Sequence, residues 1–514
     1  MLSFDNWFIR DLPGDGNPAL QTRQMHGALH TPTQPTPVAA PQLLAVVPEL
    51  AEAIGFAPVD LETPDFVQVF AGNALYPGMQ PWASCYGGHQ FGHWAGQLGD
   101  GRAISLGEAL GRDGRRHELQ LKGAGRTPFS RHADGRAVLR SSLREFVCSE
   151  AMHHLGIPTT RALCLIATGE PVVRDMFYDG RPRAEPGAVV CRVAPSFLRF
   201  GHYELPTSRG DVALLTRLVD FTLARDYPEL TGPIEQRRAD WFIEVCERTA
   251  TLIAHWMRVG FVHGVMNTDN LSILGLTIDY GPYGWLEPYD PEWTPNTTDF
   301  EGRRYAYGRQ PQIGQWNLSA LAGALAPLFP DQTPLQQGLR AYAERFHQAY
   351  AEHMAAKFGL VEARSDDGEL ISAALELMRA AEIDWTLAFR QLAVGAPDAA
   401  LWESISDDPA AYARARPAIS DWTQRYATRL QQDARPAVER QAAMHAVNPL
   451  YVPRNYLAQL AIDAAEQGDL APLQRWMAVL RQPYTEQPGQ AAYAAPRPAW
   501  ARQRPGCSML SCSS

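Results

Sequence analysis

The chain has 514 residues, which is enough to bury one large core or two to three domains of ordinary size. Its 46% hydrophobic and 20% charged residues are typical of a globular protein, and its net charge of −10 disfavours nucleic acid and anionic membranes, because both select basic surfaces. We find no apolar run of bilayer length and no secretory or transit pattern near the acidic N-terminus, so we expect a cytoplasmic protein. We also expect that it binds neither membranes nor nucleic acid, and that it is a monomer.

Composition and periodicity divide the chain into four parts. Residues 1–65 contain the Pro/Thr-rich stretch HTPTQPTPVAAPQ, which predicts an extended N-terminal segment that packs on the core. Residues 66–205 predict a β-rich lobe, and residues 206–485 carry the long amphipathic patterns of a helical lobe. Residues 486–514 form a polar tail that we expect to be flexible. This order is that of an α+β protein, and more specifically of a protein-kinase-like two-lobed fold.

Within the β-rich part, apolar residues alternate in RAISLGEAL and RHELQLKG on either side of the turn GRDG, which predicts a hairpin. Leu139, Leu143 and Phe146 then recur at helical spacing, before a Gly-x-Pro stop. The segments RALCLIAT and GAVVCRVAP are typical of strands. The sequence therefore predicts a sheet with at least one helix packed on it.

A glycine-rich turn and a rare lysine indicate a phosphate site. Gly99 and Gly101 would let backbone N–H groups approach an anion, and Arg102 adds a positive charge beside them. Lys122 is one of only two lysines and ends the strand that follows this turn. In kinase-like sites such a lysine holds a nucleotide phosphate and is positioned by a glutamate on the next helix, here Glu145, with Glu150 as the alternative. The second lysine, Lys357, is expected on a helix surface.

The stretch FVHGVMNTDN resembles the catalytic loop of a protein kinase, His-x-Asp followed by four residues and Asn. His263 and Asn270 have the right separation, but Val265 occupies the position of the catalytic base. Asp269 is the only carboxylate in the loop that could accept a proton. Asn270 and the later Asp279 of the Asp-Tyr-Gly segment predict a site for one Mg²⁺, which prefers oxygen ligands. The displaced carboxylate implies a kinase-like site with altered geometry, and it leaves a different transfer chemistry open.

Four longer segments carry a resemblance to a known family. YGGHQFGHWAGQLGDGRA, ELQLKGAGRTPFSRHADGRAVLRSSLREF, HGVMNTDNLSILGLTIDYGPYGWLE and NPLYVPRNYLAQLAI closely resemble the selenoprotein O family, also called SelO or YdiU. The resemblance spans most of the chain. It implies a kinase-like fold that binds ATP in an inverted orientation and transfers AMP to Ser, Thr or Tyr hydroxyls of protein substrates. It also implies that UMP could be transferred from UTP with manganese.

The resemblance further implies a role for each matching residue. Asp269 matches the proton acceptor, Glu145 matches the ion-pair partner of Lys122, and Asn270 and Asp279 match the ligands of Mg²⁺ or Mn²⁺. The positions that match the nucleotide-binding residues of the family are Gly99, Gly101, Arg102, Lys122, Asp134, Gly135, Arg192, Arg199 and Asp279.

The tail also resembles the family, in which a disulfide joins the tail to the loop after the metal-binding Asp. Cys512 matches the tail position, but the loop PEWTPNTTDFEGRR has no cysteine, so this disulfide cannot form. Cys507 could pair with Cys512 instead, or both thiols could stay reduced. Two other functions stay open from the residues alone: a kinase that uses Asp269 as its base, and a nucleotide-binding pseudokinase without catalysis.

Overall fold

The computed structural model describes residues 2–394, 402–507 and 509–511. Most of the strands lie in the first 200 residues, where short alternating segments and glycine-rich turns favour sheet over helix. In chain order the strands are β1 (Ser3–Phe4), β2 (His30–Pro32), β3 (Gln42–Val46), β4 (Trp82–Ser84), β5 (Gly87–Gln90), β6 (His93–Gln97), β7 (Ala103–Leu110), β8 (Arg116–Lys122), β9 (Ala137–Val138), β10 (Arg161–Arg174), β11 (Arg183–Ala194), β12 (Phe261–Val262) and β13 (Gly284–Trp285).

One antiparallel sheet of nine strands forms the first lobe. Its main order is β2-β4-β7-β8-β11-β10-β3, with β1 on β7 and β9 on β11. The predicted hairpin is confirmed as β7 and β8, in which Ile104 lies opposite Leu121. The two predicted strands are confirmed as β10 and β11. Strands β1, β2 and β3 come from residues 1–65, so that segment contributes to the sheet directly.

Helices dominate the rest of the chain, as the amphipathic patterns predict. They are α1 (Trp7–Asp11), α2 (Pro48–Ile54), α3 (Pro64–Ala71), α4 (Leu139–His154), α5 (Phe200–Ser208), α6 (Val212–Asp226), α7 (Ile234–Val259), α8 (Gln310–Leu325), α9 (Thr333–Lys357), α10 (Asp367–Ala380), α11 (Trp385–Leu392), α12 (Pro409–Gln431), α13 (Ala437–Val447), α14 (Asn455–Glu466) and α15 (Ala471–Leu480). A sheet-rich first part followed by a helical part confirms the α+β class.

Helix α4 crosses the sheet and connects it to the C-terminal helices. Leu143, Phe146 and Val147 are completely buried, because they lie on the apolar stripe that faces β10 and β11. Helices α14 and α15 also pack on α4 and share the core of the sheet. The division at residues 205 and 485 stays a prediction.

The long helix α7 leads into the loop that carries the predicted catalytic residues. It ends at Val259 and is capped by Gly260, whose φ of 79° lies in the left-handed region that favours glycine at a helix end. Strand β12 follows immediately and pairs with β13, so both ends of the intervening segment are held together. Among the described residues, no helix is both long enough and apolar enough to cross a membrane.

The predicted surface position of Lys357 is wrong. Only 2% of this residue is exposed, its Nζ donates to Asn448 Oδ1 at 2.9 Å, and it lies 3.8 Å from the centre of the Phe389 ring. The covering residues come from helices and loops far along the chain. Burial lowers the pKa of Lys357 well below its ordinary value.

Candidate functional site

A cavity of about 690 Å³ opens between the sheet and the loop that follows α7. Eleven of the residues predicted to bind nucleotide, accept a proton or bind metal line this cavity. They are Gly99, Gly101, Arg102, Lys122, Asp134, Gly135, Arg192, Arg199, Asp269, Asn270 and Asp279. These residues lie up to 180 positions apart in the chain, and the fold brings them to one place.

Lys122 and Glu145 form an ion pair at the inner wall of this cavity. Lys122 Nζ donates to Glu145 Oε2 at 2.5 Å, and both side chains are buried. Burial lowers the pKa of Lys122 to about 7, and Glu145 opposes this shift. Burial would raise the pKa of Glu145, but the charges of Lys122 and Arg192 outweigh it and keep the carboxylate ionised. Glu150, the alternative partner, instead accepts hydrogen bonds from Arg161.

Two arginines hold the carboxylate of Asp279. Arg192 Nη1 donates to Asp279 Oδ1 at 2.5 Å, and Arg199 Nη1 donates to Asp279 Oδ2. Each arginine residue is only 2% exposed, so both positive charges lie deep in the cavity. Arg192 also reaches Glu145 at 3.3 Å. The cluster therefore places two cations where an anionic ligand could replace part of their contact with Asp279.

Asn270 is oriented by the residue that replaces the kinase base. Its Nδ2 donates to the carbonyl oxygen of Val265 at 3.0 Å, so the amide nitrogen is used and Oδ1 is the end that can bind a cation. Asp279 has two further oxygens, which Arg192 and Arg199 contact in this structure and which a cation would have to share. Hard oxygen donors of this kind fit Mg²⁺ or Mn²⁺, whose other ligands would come from phosphate and water.

Asp269 is buried beside Asn270. Its Oδ2 accepts a hydrogen bond from Gln90 Nε2 at 3.2 Å, whereas Oδ1 has no hydrogen-bond partner in the part of the chain that the structure describes. Burial raises the pKa of Asp269 to about 6, which is nearer neutrality than a solvated aspartate. A buried carboxylate with one free oxygen can accept a proton from a hydroxyl group.

The glycine-rich turn and the Asp134 turn form the opposite wall. Gly99 has a φ of 120°, and a Cβ at this position would lie 2.5 Å from a ring carbon of Phe129. Gly135 has even less space, because a Cβ added there would lie 2.1 Å from the carbonyl oxygen of Gly125. Asp134 accepts hydrogen bonds from Arg174 at 2.5 and 2.8 Å. Both turns therefore require glycine to approach so closely.

Comparison with known proteins identifies the family. The family described as "Protein adenylyltransferase SelO" matches residues 17–481. The chain belongs to this family. It is 62% identical to "Protein nucleotidyltransferase YdiU" of Xanthomonas axonopodis pv. citri (strain 306), over 100% of this chain and 99% of the relative. It is 60% identical to the protein of the same name from Aromatoleum aromaticum (strain DSM 19018 / LMG 30748 / EbN1), with the same coverage.

The predicted resemblance to the SelO family is thus confirmed, and the chain is a nucleotidyltransferase enzyme. An enzyme of this class uses a nucleotide as a substrate. The cavity described above is the part of the fold that brings the matching residues together. The individual roles of these residues stay predictions.

The sequence patterns did not identify Asp100, which lines the cavity, or Gln120, which contacts one of its arginines. Asp100 is 3% exposed, accepts a hydrogen bond from the Ser84 N–H at 3.0 Å and lies 3.9 Å from Arg199. Behind the cavity wall, Gln120 Oε1 accepts a hydrogen bond from Arg192. A signal was present for Asp100, since an acid between Gly99 and Gly101 is unusual beside a proposed anion site.

The tail packs beside the loop that follows Asp279. The Thr297 N–H donates to the Leu510 carbonyl at 2.7 Å, and the Leu510 N–H donates to the Pro295 carbonyl at 3.0 Å. Cys507 is buried at a second cavity of about 360 Å³, and burial raises the pKa of its thiol to about 11. Cys512 lies outside the described residues, so its predicted redox role and its pairing with Cys507 stay predictions.

Proposed function

We propose that this enzyme transfers AMP from ATP to Ser, Thr or Tyr hydroxyls of protein substrates, with Mg²⁺ or Mn²⁺ as cofactor. The observation that carries this proposal is the position of Asp269. A buried carboxylate with a free Oδ1 lines the same cavity as the buried pair Lys122–Glu145 and the cluster around Asp279. Val265 has no ionisable group, so Asp269 takes the place of the kinase base.

The deep arginines support transfer of the nucleotidyl group. Arg192 and Arg199 are buried next to Asp279. Lys122 lies on β8, which pairs with the strand β11 that carries Arg192. These three cations would bind the two outer phosphates of the triphosphate, as charge-assisted hydrogen bonds to phosphate are strong. With the outer phosphates held deep, the α-phosphorus faces the acceptor side of the cavity.

The acceptor hydroxyl then reacts in one displacement. Its oxygen bonds to the α-phosphorus, the bond from that phosphorus to the bridging oxygen breaks, and pyrophosphate leaves. The hydroxyl proton passes to the Asp269 carboxylate. Asn270 and Asp279 would hold the divalent cation, which supplies charge neutralisation at the phosphates when bound.

Labelled nucleotides test this proposal. The wild-type enzyme should transfer label from α-labelled ATP to protein and none from γ-labelled ATP, whereas a kinase would show the reverse. A pseudokinase would transfer neither label. Asp269→Asn keeps the size of the side chain but cannot accept a proton, and it should lower α-label transfer by about 100-fold or more. A parallel incubation with α-labelled UTP and Mn²⁺ measures the transfer of UMP.

A further inference from the structure

The β5–β6 hairpin contacts the loop that contains Asp269 at successive residues. The His89 N–H donates to Thr268 Oγ1 at 2.7 Å. Gln90 Nε2 donates to Asp269 Oδ2 at 3.2 Å. The Phe91 N–H, one residue further along the hairpin, donates to the side-chain Oδ1 of Asn267 at 3.2 Å. The hairpin therefore fixes the loop through both backbone and side-chain hydrogen bonds.

A buried glutamate holds the two segments in register. Glu204 Oε1 lies 2.6 Å from His89 Nδ1, and Glu204 Oε2 accepts a hydrogen bond from Thr268 Oγ1. Glu204 is 3% exposed, so water competes little for these contacts. The hairpin and the loop are thus tied to helix α5 by the same carboxylate.

The hairpin also lies so close to Asp269 that Gly88 leaves no room for a side chain. A Cβ on Gly88 would lie 2.7 Å from Asp269 Oδ1 and 2.9 Å from Asp269 Cβ. The carboxylate is therefore confined by Gly88 on one side and bound by Gln90 at Oδ2. Rotation about the last bond of the Asp269 side chain would break the contact with Gln90.

From this arrangement we propose that Gln90 is a positioning residue for the transfer reaction. Its amide holds Oδ2 and so fixes the orientation of the Asp269 carboxylate. The assignment rests on the proposed function, because it gives Asp269 the role of proton acceptor. Gln90 itself does not touch the reacting atoms in this account.

The alternative is that Gln90 only fills space at the tip of the hairpin. Gln90→Met separates the two readings, since methionine has a similar length and shape but no donor. Gln90→Glu keeps the shape and replaces the donor with an acceptor that repels the Asp269 carboxylate. His93→Ala is the matched control, because His93 lies opposite Gln90 in the hairpin and its side chain is exposed.

The experiment measures kcat, the KM for ATP and amide hydrogen exchange of residues 263–273. We expect Gln90→Met to lower kcat by about 10- to 100-fold, with a KM within about 2-fold of wild type, since misplacing a reacting group affects the chemical step. Gln90→Glu should lower kcat further. The loop should exchange faster in both variants, and His93→Ala should change none of the three quantities.

Two results would overturn the assignment. One is a Gln90→Met enzyme with wild-type kcat, and the other is unchanged exchange of the loop in both Gln90 variants. If the wild-type enzyme transfers no α-label, the proposed function fails, and the exchange measurement still decides whether Gln90 positions the loop.

Discussion

Lys122 Nζ lies 2.5 Å from Glu145 Oε2, and this ion pair joins the end of β8 to the middle of α4. Glu145 has a second partner in Arg192, at 3.3 Å, whereas Glu145 is the only carboxylate within ion-pair distance of Lys122 among the described residues. The glutamate thus contacts two buried cations at the inner wall of the cavity, and one of them, Arg192, is also paired with Asp279. The pair is a structural connection between the sheet and the helix as well as a part of the site.

Replacing either member of this pair should reduce transfer, but with different effects on stability. Lys122→Ala leaves Glu145 paired with Arg192, so we expect a modest loss of stability and a fall in kcat/KM of about 100-fold or more. Glu145→Ala leaves the buried Lys122 without a carboxylate, whereas Arg192 keeps Asp279, and breaking such a buried pair costs about 3–5 kcal/mol. Transfer assays and thermal unfolding measure both effects. Equal stability of the two variants would contradict this account.

Asp279→Asn should remove metal-dependent activity. The amide has one oxygen fewer for the cation, and its NH₂ group would face the donors of Arg192 or Arg199. We expect kcat to fall about 100-fold or more and half-saturation to need a higher Mn²⁺ concentration. A suitable control is Asp220→Asn on the surface, where the pair with Arg238 is worth at most about 1 kcal/mol. Activity that saturates at the wild-type Mn²⁺ concentration would exclude Asp279 as a ligand.

His263 should make the stability of the protein depend on pH. Its Nε2 donates to the Ile278 carbonyl at 2.9 Å and its Nδ1 accepts from the Val265 N–H, so the buried ring is neutral. Burial lowers the pKa of His263 to about 4. Since the unfolded chain binds the proton more readily, the stability held above pH 6.5 is lost as the pH falls towards 4.

His263→Phe removes this titration while keeping an aromatic ring. At about 1.4 kcal/mol per pKa unit, the unfolding free energy of the wild type should lose up to about 3 kcal/mol more than that of the variant between pH 7 and pH 4. Chemical denaturation at several pH values measures the difference. Parallel pH profiles of the two proteins would show that His263 does not titrate in this way.

Cys507 should react slowly with alkylating reagents in the folded protein. The thiol is buried and its pKa is raised to about 11, so little thiolate is present at pH 8. Mass spectrometry of peptides after timed treatment with iodoacetamide gives the rate, and the same protein in denaturant gives the reference. Modification of Cys507 at the denatured rate would mean that this thiol is open to solvent.

Much of the inner wall could be predicted from local patterns. The hairpin of β7 and β8, helix α4 and the order of Lys122 and Glu145 follow from periodicity and spacing along one continuous segment. Even so, the choice between Glu145 and Glu150 stayed open in the sequence. Glu145 and Glu150 are five positions apart, so their side chains lie on different faces of α4. Only the position of the sheet shows which of these faces meets Lys122.

Contacts between distant segments could not be predicted. Gln90 and Asp269 are separated by 179 positions, and no local pattern links them. The burial of Lys357 has the same origin, because Asn448 and Phe389 reach it only after the helices pack. Hydrophobic periodicity indicates which face of a helix is covered, but it does not identify the covering residues.

The most direct test of the account is the intact mass of an acceptor protein after incubation with ATP and Mn²⁺. The wild-type enzyme should add the mass of one adenylate group per modified hydroxyl, and Asp269→Asn should add none in the same time. Addition of a phosphate mass, or equal adenylate addition by the wild type and Asp269→Asn, would contradict the role assigned to Asp269.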